Sequence, residues 1–132
     1  MDKSVEEKFV NAFIVKEKRE RILHELNSAK KRALAAHHLY PLLDTRLVVF
    51  EGKNIDESEL ITELKKYCKI PRTCYNISDS QDDGKMLPFE VAIKNLFEYE
   101  MTYVIICDEH TAIVSEEYEF CGTPSKMILY KN

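Results

Sequence analysis

The chain of 132 residues has the length of one ordinary domain, and 45% of its residues are hydrophobic and 32% charged, as in a globular protein. These values exclude a disordered or fibrous chain, and no apolar run approaches the roughly 18 residues that a membrane span needs. We therefore expect one domain over residues 1–132, with no membrane partner.

The formal net charge of −4 is divided unevenly along the chain. Residues 1–46 contain ten Lys or Arg against seven Asp or Glu, whereas residues 47–132 contain nine against sixteen. An acidic body repels nucleic acid, whose affinity for proteins comes mostly from phosphate contacts. We therefore expect no nucleic-acid partner, and we interpret the basic segment 15–32 as a solvated helix face.

Residues 1–43 are predicted to form a helical hairpin. Apolar residues recur at helical spacing over residues 4–26, and Ser28 is suited to cap a second helix. The segment has a surplus of apolar positions, among them Phe13 and Leu23. Because uncovered apolar patches usually mark an interface, we predict a two-fold homodimer through this hairpin. The alternative is a monomer in which the hairpin covers one face of a sheet.

Short β-rich apolar runs follow the hairpin, with helical patterns between the first three. The order strand–helix–strand–helix–strand favours parallel pairing with right-handed crossovers. The short link "DEHT" then predicts an antiparallel hairpin. The predicted strands are "RLVVF" (46–50), "TCYNI" (73–77), "TYVIIC" (102–107), "AIVSE" (112–116) and "KMILY" (126–130). The sequence thus predicts an α/β fold over 46–132 with a mixed five-stranded sheet, in which three parallel strands precede a C-terminal antiparallel hairpin and strand.

The four cysteines form no CxxC pair, and the charged N-terminus "MDKSVEEKF" has no apolar stretch typical of a secretion signal. We therefore expect reduced thiols and a cytoplasmic location. His37 and His38 are adjacent on a predicted helix, so they point about 100° apart and do not face one ion. We expect no resident cofactor.

The stretch "DSQDDGKMLPFE" (79–90) has the spacing of a calcium-binding loop. Its side-chain ligands would be Asp79, Gln81, Asp83 and Glu90, with a carbonyl from Lys85 and Gly84 at the bend. Position nine is Leu87, which has no side-chain oxygen, and a strand rather than a helix is predicted ahead of the loop. We interpret the stretch as an acidic turn before a helix.

The stretch "LVVFEGKNIDE" (47–57) resembles the first signature of the Toprim domain of primases and topoisomerases, a hydrophobic strand that ends in Glu-Gly. The resemblance implies a catalytic acid at Glu51 and, from "CDEH", a Mg²⁺ ligand at Asp108 for phosphoryl transfer. His110 stands where that family has the second aspartate of Asp-x-Asp. Because acids follow all three predicted parallel strands, Asp83 could join Glu51 and Asp108 in one metal site.

Other catalytic motifs are absent from the sequence, which has only three glycines and neither a phosphate loop nor a G-x-S-x-G elbow. The favoured hypothesis is a non-catalytic protein–protein interaction module. Tyr118 and Phe120, which alternate with acids in "EEYEF", and Phe13 and Leu23 of the hairpin are its candidate partner-binding residues. The alternative is a Mg²⁺-dependent, Toprim-like enzyme that acts on nucleic acid or a nucleotide.

Overall fold

The computed structural model describes residues 1–117 and 124–132. The α-helices are α1 (Lys3–Phe13), α2 (Arg19–Leu26), α3 (Arg32–His37), α4 (Glu57–Leu64) and α5 (Phe89–Glu98). The strands are β1 (Val48–Gly52), β2 (Thr73–Ser78), β3 (Met86–Pro88), β4 (Tyr103–Ile106), β5 (Thr111–Ser115) and β6 (Lys126–Tyr130). Over the described ranges, none of the helices is both long enough and apolar enough to cross a bilayer.

The strands form one six-stranded sheet in the order β1-β6-β5-β4-β2-β3, and every neighbouring pair is antiparallel. The prediction of three parallel strands in a mixed five-stranded sheet is therefore wrong. The predicted strands at 73–77 and 102–107 are indeed neighbours, but Tyr75 pairs with Ile106 in an antiparallel register. The run at 46–50 became β1, which lies at the far edge of the sheet.

The strand that the sequence analysis missed explains this error. β3 forms an antiparallel hairpin with β2, so the chain has already reversed direction before it enters α5. The crossover through α5 therefore joins β3 to β4, which run in the same direction on either side of β2. The chain thus has a crossover between parallel strands, but the two strands are β3 and β4 rather than β2 and β4.

Helices cover both faces of the sheet. Helices α1, α2 and α3 pack on the face that carries Tyr75 and Val104, and α4 and α5 pack on the face that carries Cys74 and Ile105. All residues of β4 and β5 are consequently buried. Continuous apolar strands of this kind are typical of parallel sheets, which is why the sequence pattern favoured one.

The N-terminal segment covers the first face of the sheet. The predicted helix over 4–26 is broken into α1 and α2 by a 3₁₀ turn at Lys16–Lys18. Phe13 is only 1% exposed and lies in the core beneath the sheet, and Leu23 packs against the same cluster. The N-terminal segment therefore covers one face of the sheet, which was the alternative to a hairpin with an exposed apolar surface. The homodimer stays a prediction, without the apolar surplus that motivated it.

Candidate functional site

An apolar cleft of about 220 Å³ opens between α1 and strands β2, β3 and β4. Its apolar lining consists of Val5, Phe9, Phe13, Tyr75, Met86 and Ile106. A cleft of this size suits one apolar side chain rather than a drug-sized cofactor, whose sites usually have volumes of about 300 to 1,000 Å³.

Helix α1 presents one apolar face to the cleft because of its residue spacing. Val5, Phe9 and Phe13 recur every four residues, and the rings of Phe9 and Phe13 are 5.5 Å apart. The Asp2 carboxylate accepts a hydrogen bond from the Val5 amide at 3.1 Å and so caps the start of the helix. The N-terminus of the helix is thereby placed beside β2, where the Asp2 amide donates to the Tyr75 hydroxyl at 3.0 Å.

Charged residues stand at the rim of the cleft. Lys8 Nζ donates to Glu109 Oε1 at 3.0 Å, which joins α1 to the turn between β4 and β5. The hydrogen bond from Lys8 lowers the pKa of Glu109 below its ordinary value. Asp108 lies beside this ion pair and accepts a hydrogen bond from the His110 amide at 2.8 Å. The pair is exposed on both sides, so its opening costs little.

β3 is an edge strand, and among the described residues its outer backbone groups have no strand partner. β3 pairs with β2, and Leu87 lies opposite Cys74. Backbone hydrogen bonds flank this pair on both sides: the Asn76 amide donates to the Lys85 carbonyl, and the Phe89 amide donates to the Arg72 carbonyl. Because backbone groups alternate in direction along an antiparallel ladder, those of Leu87 face β2 and those of Met86 and Pro88 face the free edge. The edge therefore offers the N–H and C=O of Met86 and the C=O of Pro88. The Met86 residue is 58% exposed.

A buried ion cluster braces the wall of the cleft behind Tyr75. The Arg32 guanidinium donates to Glu6 Oε1 at 2.7 Å and to Asp83 Oδ2 at 2.6 Å, and the Tyr75 hydroxyl donates to Glu6 Oε2 at 2.6 Å. Burial opposes the charged form of Arg32, but its hydrogen bonds to Glu6 and Asp83 outweigh burial and raise its pKa. Burial, reinforced by the hydrogen bond to Glu6, raises the pKa of Tyr75 to about 12.

The same cluster explains the acidic stretch 79–90. Asp83 binds Arg32, while Asp82 accepts hydrogen bonds from Asn95 Nδ2 at 2.7 Å and from the Tyr103 hydroxyl at 2.9 Å. Gly84 takes a positive φ of 73°, which glycine adopts without strain. The stretch forms a turn that leads into β3 and only then into α5, whereas the prediction had the turn directly before a helix. Two of its carboxylates face the protein interior rather than a common ion.

We expect millimolar Ca²⁺ or Mg²⁺ to leave the melting temperature unchanged, because Asp83 is already committed to Arg32. A cation present at about 100 times its dissociation constant would add roughly 2.7 kcal/mol to stability, or several degrees. Differential scanning fluorimetry with and without each cation measures this. A shift of several degrees that disappears in Asp79→Asn, a substitution at an exposed position, would contradict it.

The structure does not bring Glu51, Asp83 and Asp108 together. β1 and β4 run in opposite directions with β6 and β5 between them, so Glu51, near the end of β1, and Asp108, just after β4, lie at opposite ends of the sheet. Over residues 1–117 and 124–132, no three His, Cys, Asp or Glu side chains are grouped to hold a metal ion. The expectation of a shared Mg²⁺ site, drawn from the parallel sheet and the Toprim resemblance, is therefore not supported by the geometry.

Two of the predicted partner-binding residues, Tyr118 and Phe120, lie outside the described residues. The other two, Phe13 and Leu23, serve the core beneath the sheet, although Phe13 also lines the cleft. Sequence reasoning missed Lys8 and Met86. The signal for Met86 was obscured because Pro88 indicated the start of a helix, and a strand of three residues is too short to show a period.

Comparison with known proteins adds no assignment. Neither the family models nor the curated proteins nor the solved structures that were searched contain a match to this chain. The function is therefore argued from the geometry of the cleft.

Proposed function

We propose that the chain is a non-catalytic protein-binding module that receives an extended peptide segment of its partner in the cleft, alongside β3. The observation that carries this proposal is the position of Met86, an exposed apolar residue on a free strand edge that also lines an apolar cleft. Exposed apolar surface beside unpaired backbone groups is the combination that strand-addition sites use.

Backbone pairing provides the first part of the recognition. A partner strand that runs along β3 would hydrogen-bond to the N–H and C=O of Met86 and to the C=O of Pro88. Pro88 has no N–H, so the added ladder ends there after few bonds. Short pairing of this kind gives a weak, reversible contact rather than a permanent one.

The cleft provides the second part. In an extended peptide alternate side chains point to the same side, so one apolar side chain would enter between α1 and β2 while its neighbours point to solvent. The walls that receive it are Phe9 and Ile106, which are 2% and 8% exposed and are held in place by the core. A preformed pocket of this kind loses little entropy on binding.

The rim provides a charge preference. Lys8, Asp108 and Glu109 together carry one positive and two negative charges. A basic residue of the peptide next to its apolar anchor would pair with these acids, whereas an acidic residue would face net repulsion. The favoured partner sequence is therefore an extended segment with one large apolar residue flanked by Lys or Arg.

The test uses a phage-displayed library of random peptides selected on the intact protein. We expect enrichment of peptides with an apolar anchor and a flanking basic residue. Synthetic copies should bind at least about tenfold more weakly to Met86→Asp, because a charge at the mouth of the cleft opposes entry of an apolar side chain. Titration followed by backbone amide shifts measures affinity and should place the largest changes at Met86.

The matched control is Leu34→Asp. Leu34 is 61% exposed, about as much as Met86, but it lies on α3 and does not line the cleft. Binding to this variant should equal binding to the unmodified protein. The proposal is overturned if no peptide is enriched, or if the enriched peptides bind both variants with unchanged affinity.

A further inference from the structure

A second cavity adjoins the apolar cleft. This outer cavity has a volume of about 420 Å³, and Lys8 and Glu109 belong to its lining as well as to that of the cleft. Lys8 Nζ donates to Glu109 Oε1 at 3.0 Å, so the two side chains form one bridge from α1 to the turn between β4 and β5. The ion pair therefore stands between the two cavities and is a wall that they share.

The other walls of the outer cavity are set by the fold. Asn11 and Ala12 lie three and four positions after Lys8, so they share a face of α1 with it. On the opposite side, the Lys131 amide donates to the His110 carbonyl at 2.9 Å, and His110 Nδ1 lies 2.9 Å from the Lys131 carbonyl oxygen. The space beyond the ion pair is consequently present whether the pair is closed or open.

The ion pair itself is a movable part of the cleft wall. The side chains of Lys8 and Glu109 are 60% and 69% exposed, and a single hydrogen bond joins them. The backbone of the turn is held separately, because the Asp108 carboxylate accepts a hydrogen bond from the His110 amide at 2.8 Å. The two side chains can therefore separate by rotation, without a change in the backbone that carries them.

The volume of the cleft indicates what the closed wall admits. An apolar cavity of roughly 150 Å³ holds one benzene molecule. At about 220 Å³, the cleft therefore takes a branched aliphatic side chain or a single ring. The two fused rings of Trp need a longer space, which the cleft gains where it meets the outer cavity. Trp also has an apolar body and a polar N–H, which suits an apolar cleft followed by a polar cavity.

We propose that the Lys8–Glu109 ion pair determines the size of the apolar side chain that the cleft accepts. This inference rests on the peptide-binding function proposed above. With the pair closed, the cleft favours a Leu anchor over a Trp anchor. With the pair open, the cleft and the outer cavity are continuous, and the Trp side chain enters with its N–H toward the outer cavity.

Electrostatics determine when the wall is closed. The hydrogen bond from Lys8 lowers the pKa of Glu109, so both partners are charged at neutral pH. Salt weakens the pair, because charges in contact with solvent are screened. Exposed ion pairs are weak, so opening this one changes affinity only severalfold. The expected effect is a moderate, salt-dependent change in preference.

The test uses a peptide selected from the library and resynthesised with either Leu or Trp at its anchor and no other difference. Titration calorimetry on the intact protein gives the ratio of the two dissociation constants, which should favour the Leu peptide. Lys8→Met and Glu109→Gln keep the shape of each side chain but remove the ion pair, and each should reduce the preference for Leu about two- to fivefold. The two substitutions change the rim charge in opposite directions, so net charge does not explain a shift in the same direction. In about 1 M NaCl, the ratio for the unmodified protein should approach that of Lys8→Met.

Lys66→Met is the matched control. Lys66 also donates to a glutamate, Glu63, at 3.0 Å, and its side chain is 59% exposed, but it lines neither cavity. Its ratio should equal that of the unmodified protein. The inference is overturned, and the proposed function stands, if both peptides bind but the unmodified protein favours Trp, if Lys8→Met leaves the ratio unchanged, or if the two cleft substitutions shift it in opposite directions. If neither peptide binds the unmodified protein, the proposed function is overturned and this inference with it.

Discussion

Replacement of Arg32 by Met should destabilise the protein by about 3 to 5 kcal/mol, which is a loss of roughly 10 to 20 °C in melting temperature. Arg32 is 7% exposed and Glu6 is 2% exposed, so the substitution leaves buried carboxylates without their cation. The cluster joins α1, α3, β2 and the turn before β3, and its loss should therefore loosen the wall of the cleft as well as the helices. Denaturant unfolding followed by circular dichroism measures the free energy.

Arg46→Met is the matched control. Arg46 also pairs with an aspartate, Asp44, at 2.8 Å, but its side chain is 87% exposed. The Arg46 guanidinium is solvated, and the buried Asp44 carboxylate keeps its hydrogen bond from the Arg46 amide, so this variant should lose much less stability than Arg32→Met. Glu6→Gln and Asp83→Asn together, added to Arg32→Met, should recover part of the loss because they remove the unpaired charges. Equal stability of Arg32→Met and Arg46→Met would show that the buried cluster contributes nothing.

Replacement of Phe13 by Ala should cost about 3 to 5 kcal/mol of stability without changing the mass of the protein in solution. Phe13 is 1% exposed and packs between α1 and the sheet, beside Phe9 at a ring distance of 5.5 Å. The substitution leaves a cavity inside the core rather than a hole in a surface. Thermal unfolding measures the first effect and light scattering the second.

Leu34→Ala serves as the control, because Leu34 is 61% exposed and its truncation should change stability by less than about 0.5 kcal/mol. The two measurements also test the dimer predicted for the N-terminal hairpin. A mass near twice 15.5 kDa that falls to the monomer value in Phe13→Ala would restore that dimer. An unchanged mass with lower stability would show that Phe13 serves only the core.

The helices and most strands could be read from the sequence because their signals are local. α5 shows apolar residues at helical spacing after Pro88, β4 is a run of four apolar residues, and β5 has three in a row, Ala112–Val114. Hydrophobic periodicity and capping depend on a few neighbouring residues, so both can be recognised without knowledge of the fold. The long predicted helix over 4–26 was less accurate, since its break at Lys16–Lys18 leaves no proline or glycine as a marker.

Strand direction depended on three residues. β3, with only Met86, Leu87 and Pro88, reverses the chain before α5 and turns a predicted parallel pair into an antiparallel one. A strand this short shows no period, and its proline indicated a helix start. The metal-site hypothesis failed for the same reason, because Glu51 and Asp108 would share an edge only if their strands were parallel.

The sequence by itself determined the layer class, helices packed on a buried sheet, and the acidic turn that follows β2, because composition and short-range pattern decide both. Only the tertiary structure decided which side chains meet: Glu6, Arg32 and Asp83 come from positions up to 77 residues apart. The cleft likewise joins α1 to strands far along the chain. Contacts at such separations follow from strand order and direction. These depend on the packing of the whole chain and cannot be recognised from the pattern of neighbouring residues.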